Sequence, residues 1–68
     1  MNINARYIET MQAELGMTKK DLATACGISA QNVSTIIRRG TCAPKTAGKL
    51  ARGLGVPVAE IIRKEATL

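Results

Sequence analysis

The stretch Thr18-Lys19-Lys20-Asp21-Leu22-Ala23-Thr24-Ala25-Cys26-Gly27-Ile28-Ser29-Ala30-Gln31-Asn32-Val33-Ser34-Thr35-Ile36-Ile37 holds two helix starts separated by a hinge. Thr18 reads as an N-cap, with Asp21 three residues later. That is a shortened capping box, and its carboxylate also sits well near the positive pole of a helix. Leu22 and Ala23 face inward, and Gly27 ends this helix. Ser29 is the next N-cap and opens a helix running through about Arg38. Val33, Ile36 and Ile37 give that helix an apolar stripe. Two short helices joined by a turn of three or four residues cross at a steep angle. The crossing needs a small side chain, which Ala23 supplies. The turn needs a residue tolerant of positive φ, which Gly27 supplies. Val33 and Ile36 then pack the second helix against Leu22.

Outward from this pair, glycine and proline divide the chain into five helical stretches. The first runs from about Asn4 to Leu15, with Ile8, Met11 and Leu15 recurring on one face and Gly16 as its stop. After the central pair, Gly40 ends the third helix and Thr41-Cys42-Ala43 form a loop. Pro44 suits the first position of the fourth helix, where its missing N–H costs nothing. This helix carries Ala47, Leu50, Ala51 and Leu54 and stops at Gly55. The fifth starts near Pro57, carries Val58, Ile61 and Ile62, and frays through Arg63 and Lys64.

The 68 residues allow one domain, 1–68, with a thin core. A dimer partner would add stability. Tyr7 is the only aromatic residue, and the hydrophobic content of 46% is carried by aliphatic side chains. That mixture favours helix on helix over sheet, so the expected class is all-α. Ten Lys and Arg against five Asp and Glu give a net charge of +5, with a pI near 9.8. A basic balance of this size suits a nucleic-acid partner, and also an anionic membrane surface or an acidic protein.

Several classes drop out. With no histidine and no Cys-x-x-Cys pair, a metal site lacks ligands. Cys26 and Cys42 read as small, reduced, buried or half-buried residues. No apolar run reaches the roughly 20 residues of a membrane span, and no signal peptide is visible, so the cytoplasm is the expected location. Neither a catalytic carboxylate pair nor a phosphate-cradling glycine motif is present, so an enzyme is not expected. No cofactor is expected, and a chain this short leaves little room for a small-molecule pocket.

The landmarks together resemble the lambda-repressor-like, Cro-type family of helix-turn-helix domains. Gly16-Met17-Thr18-Lys19-Lys20-Asp21-Leu22-Ala23 is similar to that family's entry into its second helix, and Cys26-Gly27-Ile28-Ser29 resembles its turn. Gly40 through Pro44, Leu50-Ala51 and Leu54-Gly55-Val56 resemble its fourth helix and exit. The likeness covers about Ile8 to Ile62. It implies a compact five-helix fold, with the helix-turn-helix at about 18–37 and the third helix lying in the major groove of double-stranded DNA. The residues then placed against base edges are Ala30, Gln31, Asn32 and Thr35. Gln31 and Asn32 carry amides that pair bidentately with adenine, while Ala30 and the Thr35 methyl suit a thymine methyl. Without the surrounding landmarks, the same two amides would read as an ordinary solvated face.

The residues implied at phosphates are Thr18, Lys19, Ser29, Ser34, Arg38, Arg39 and Lys45. Lys19 stands where the family often has a glutamine that braces the recognition helix. A lysine neutralises phosphate but accepts no hydrogen bond. Lys45, just after Pro44, matches a family phosphate or minor-groove contact. Lys49 and Arg52 read equally as solvated surface or as part of the binding face. A family ion pair between the first and third helices is missing at both ends, since Gln12 and Ile37 occupy its positions. Ile37 then either joins the core or is exposed. The segment from Val33 to Gly40 is one residue longer than the common pattern.

The function implied is a sequence-specific transcriptional regulator of the repressor type, of bacterial or phage origin. One helix reads few base pairs, so a homodimer on a palindromic operator is expected. Val58, Ile61 and Ile62, with Leu68, are the candidate dimer surface, unless they close the monomer core instead. The competing reading is a protein-interaction module of the same fold: an antitoxin, an anti-repressor or an adaptor. The two differ in whether Lys19, Arg38, Arg39 and Lys45 cluster around the third helix.

Overall fold

The computed structural model describes residues 1–62. Within them the chain forms α1 (Ala5–Glu14), α2 (Lys19–Cys26), α3 (Ala30–Arg39), α4 (Pro44–Leu54) and α5 (Val58–Ile61). The all-α class and the five helices match the sequence reading.

The helix starts are set by short-range polar contacts. Asn4 Oδ1 accepts from the Tyr7 N–H at the head of α1. At α2, Thr18 Oγ1 accepts from the Asp21 N–H, and the Asp21 carboxylate accepts from the Thr18 N–H, both at 3.0 Å. Ser29 Oγ accepts from the Asn32 N–H at α3. Pro44 opens α4 from a start that no side chain caps. Each contact satisfies N–H groups that the helix itself leaves without a partner.

Three helix exits share one device. A left-handed glycine is followed by an apolar residue whose N–H reaches back to a carbonyl of the last turn, in the Schellman pattern. The bonds are Met17 N–H to Gln12 at 2.9 Å, Ile28 N–H to Ala23 at 3.0 Å and Val56 N–H to Ala51 at 3.0 Å. Met17, Ile28 and Val56 all pack against the core, so every exit also adds apolar contact. The exit of α3 is different. Gly40 N–H closes on the Ile36 carbonyl, and the Gly40 carbonyl then accepts from the Ile3 N–H at 2.8 Å.

That last bond belongs to an arrangement the sequence reading did not anticipate. The first residues form isolated antiparallel bridges, Asn2 with Thr41 and Ile3 with Ile62. Ile3 is buried as a result. Asn4 N–H donates to the Ile61 carbonyl at 2.8 Å, so one short extended segment joins the exit of α3 to the end of α5.

The core gathers Ile3, Ile8, Leu22, Ala23, Cys26, Val33, Ile36, Ala47, Leu50, Ala51, Leu54 and Ile61. α2 lies between α3 and α4 and packs against both. Ala23 is buried as the crossing requires, and Ile37 joins the core edge, half-buried. Two expectations need correction. Leu15 is 48% exposed rather than on the core face, because α1 stops at Glu14 and Leu15 serves as its C-cap. α5 is only four residues long, and Ile62 is extended and bridged to Ile3. The expected fraying through Arg63 and Lys64 lies outside the described residues, as does Leu68.

Gly53 marks a close approach of α4 to α2. A Cβ added there would collide with Cys26 Sγ and lie 3.0 Å from the Cys26 Cα and N atoms. The Cys26 backbone cannot yield cheaply, so α2 and α4 pack this closely only because position 53 lacks a side chain. Gly48, also within α4, would meet nothing within 4 Å. We predict opposite signs in urea denaturation. Gly53→Ala destabilises by about 1–3 kcal/mol through overpacking, whereas Gly48→Ala stabilises by about 0.5–1 kcal/mol through helix propensity. Equal effects at the two sites would contradict the close approach.

Candidate functional site

α3 is anchored on one side and open on the other. Val33 and Ile36 are buried, while Ala30, Gln31, Asn32, Ser34, Arg38 and Arg39 are exposed. At helical spacing, Gln31, Thr35 and Arg38 fall at i, i+4 and i+7, on the stripe opposite Val33. Asn32 and Arg39 share one flank of that stripe, and Ser34 lies on the other. The centre of the open face is therefore the Gln31–Thr35 pair, with Asn32 beside it. Thr35 is half-buried, and its hydroxyl donates to the Gln31 carbonyl at 2.9 Å. That bond occupies the hydroxyl proton, leaving Thr35 to offer its methyl and the acceptor capacity of its oxygen. Among the described residues, the Gln31 and Asn32 amide groups are not engaged by other side chains or by the backbone.

The other candidates sit at helix starts. Lys19 and Lys45 are exposed in the first turns of α2 and α4. Thr18 and Ser29 are exposed but already used as caps, so each hydroxyl oxygen holds a backbone N–H. Their remaining capacity is the hydroxyl proton, which can still be donated to an anion. The first turns of α1, α3 and α4 contain no acid, although helix starts favour one. α2 carries Asp21, whose carboxylate is committed to its capping box, and α5 carries Glu60.

Arg38 and Arg39 lie in the last turn of α3 and line a groove of about 620 Å³ together with Ile3, Asn4, Ala5, Arg6, Ile37 and Gly40. The sequence reading missed Arg6. Nothing local links it to α3, since the two come together only where α1 packs on α3 in the folded chain. Lys49 and Arg52 are both exposed on α4. Gln12 is half-buried, so the positions of the absent ion pair are filled by a neutral polar residue and an apolar one.

The candidate dimer surface separates into two parts. Ile61 is fully buried within the monomer, so its side chain closes the core and is not offered to a second copy. Val58 and Ile62 are half-buried and retain some accessible surface. A four-residue helix cannot distinguish these roles by periodicity alone.

Both cysteines are free thiols, Cys26 buried and Cys42 half-buried. Burial pushes both thiols up from the ordinary value, with the chain's amino terminus partly offsetting this at Cys42. Cys26 Sγ points to the Leu50 carbonyl at 3.8 Å, as a packed core residue. No helix among the described residues is long and apolar enough to cross a membrane.

The sequence matches the family model described as Helix-turn-helix over residues 9–61, well over half of the chain. No curated protein and no solved structure matches it.

The Thr18 backbone and side-chain hydrogen bonds hold the Asp21 carboxyl below its ordinary value, with a smaller contribution from Lys20. The capping contribution is therefore complete above the unfolded-state value of about 3.9. It is lost as pH falls through the lower, folded-state value. Thermal midpoints of the parent and Asp21→Asn should converge as pH drops through this window and separate above it. A constant difference across the range would contradict the capping role.

Proposed function

Because the chain belongs to the lambda-repressor/Cro-like helix-turn-helix family, we propose that it is a sequence-specific transcription regulator that reads the major groove of double-stranded DNA with α3. One observation carries this reading: α3 is fixed to the core through Val33 and Ile36 and turns two unengaged amides, Gln31 and Asn32, away from it. Those amides have the donor and acceptor pattern that pairs with adenine N6 and N7. Ala30 and the Thr35 methyl supply apolar contacts to thymine.

Phosphates are held around this face by Lys19, Arg38, Arg39 and Lys45, with Thr18, Ser29 and Ser34 donating from their hydroxyls. The acid-free starts of α3 and α4 support this, because an uncountered helix N-terminus attracts phosphate. The uncapped start of α4, with Pro44 and Lys45, suits such a contact best. The regulator acts as a repressor in the cytoplasm, and a homodimer on a palindromic operator supplies enough contacts for specific affinity. Val58 and Ile62 form the dimer contact, on the end of the molecule where Ile61 is withdrawn into the core.

Selection of bound sites from random duplex DNA tests this reading. A palindromic motif is expected. Absence of any enrichment would favour a protein-interaction module of the same fold. On the selected site, Gln31→Ala and Asn32→Ala should each cost about 1–3 kcal/mol and relax specificity. Equal losses on all sequences would count against base readout. Lys19→Ala should weaken binding uniformly and reduce its salt dependence; an unchanged salt slope would remove Lys19 from the phosphate contacts.

A further inference from the structure

Arg6 occupies a position that helix stability disfavours. It lies in the first turn of α1, where the helix pole is positive, and no acid accompanies it there. Arg38 and Arg39 are different, because they close α3 at its negative pole, where cations are favoured. All three arginines line the same groove, and no carboxylate is among its lining residues. At the groove's wall the Ile3 N–H bonds the Gly40 carbonyl at 2.8 Å, tying the entry of α1 to the exit of α3 where the two helices pack. Three cations gathered around one opening repel one another until an anion enters. Guanidinium groups match phosphate oxygens in geometry as well as in charge.

The groove continues the open face of α3. Gln31, Thr35 and Arg38 share one stripe, so a nucleic-acid backbone leaving the bases at Gln31 meets Arg38 next, then Arg39 and Arg6 beyond it. We propose that the groove between α1 and α3 binds the phosphodiester backbone of DNA flanking the bases read by α3, with Arg6 as the phosphate contact contributed by α1. This inference rests on the DNA-binding reading of α3. It widens the footprint from the helix-turn-helix to the first helix.

The test uses the full chain, as parent, Arg6→Ala and Arg6→Lys, on the selected duplex over about 50–200 mM salt. Losing one phosphate contact should make the plot of log affinity against log salt shallower by about 0.9. The ratio of specific to non-specific affinity should stay the same. Arg6→Lys should keep the parent slope. The thermal midpoint of Arg6→Ala should not fall, because the arginine opposes the helix pole. Trimming the duplex to the recognised bases should abolish the difference between the parent and Arg6→Ala.

A parent slope in Arg6→Ala overturns the inference, as does a deficit that survives trimming or a lowered thermal midpoint. Inorganic phosphate bound through Arg6 with no change in the DNA slope would make the groove a free-anion site and overturn the DNA assignment. If the parent binds no duplex at all, the reading of α3 falls along with this one. If the parent binds and Arg6→Ala matches it, only the groove is lost.

Discussion

The structure depends on α2 being gripped from two sides. Its eight residues bury Leu22, Ala23 and Cys26, with α3 crossing one side and α4 pressed against the other. Both contacts need missing bulk. Ala23 leaves room for the crossing, and Gly53 lets α4 reach the backbone of Cys26. A helix this short is not stable alone. The capping box at Thr18 and Asp21, and the left-handed Gly27 with Ile28 packed behind it, fix its two ends. Once α2 is fixed, the turn to Ser29 sets where α3 leaves. The orientation of Gln31 and Asn32 is therefore a consequence of packing on the far side of α3.

Much of this was legible because it is written locally. Thr18 with Asp21, Ser29 before Ala30, and Pro44 after a loop each announce a helix start within four residues. The glycines at 27, 40 and 55 announce the ends. The Val33 and Ile36 stripe, with Ala47, Leu50, Ala51 and Leu54, gave the core face of two helices. The polar residues left over on α3 then define the open face.

The features that escaped depend on partners distant in sequence. Ile3 looks like one apolar residue in a polar terminus, and only its bridge to Ile62 and its bond to Gly40 explain its burial. Gly53 sits in a helical pattern where glycine normally weakens the helix, and its value appears only when Cys26 is placed beside it. Ile61 and Val58 have the same apolar character, yet one is sealed in the core and the other is partly open. Leu15 kept the spacing of a core residue but fell just past the end of its helix. Arg6 is invisible for a related reason, because its neighbours on α3 are brought to it only by the packing of α1 on α3.

Charge placement follows from this frame. The cations at Lys19 and Lys45 stand at helix starts, and those at Arg38 and Arg39 at a helix end. The most direct measurement of the central claim is a titration of the isotope-labelled chain with its selected duplex, followed by backbone amide chemical shifts. The account predicts the largest shifts at Lys19, at Ala30 to Asn32, at Thr35 and from Arg38 to Lys45. Shifts centred on α5, with α3 unmoved, would contradict it.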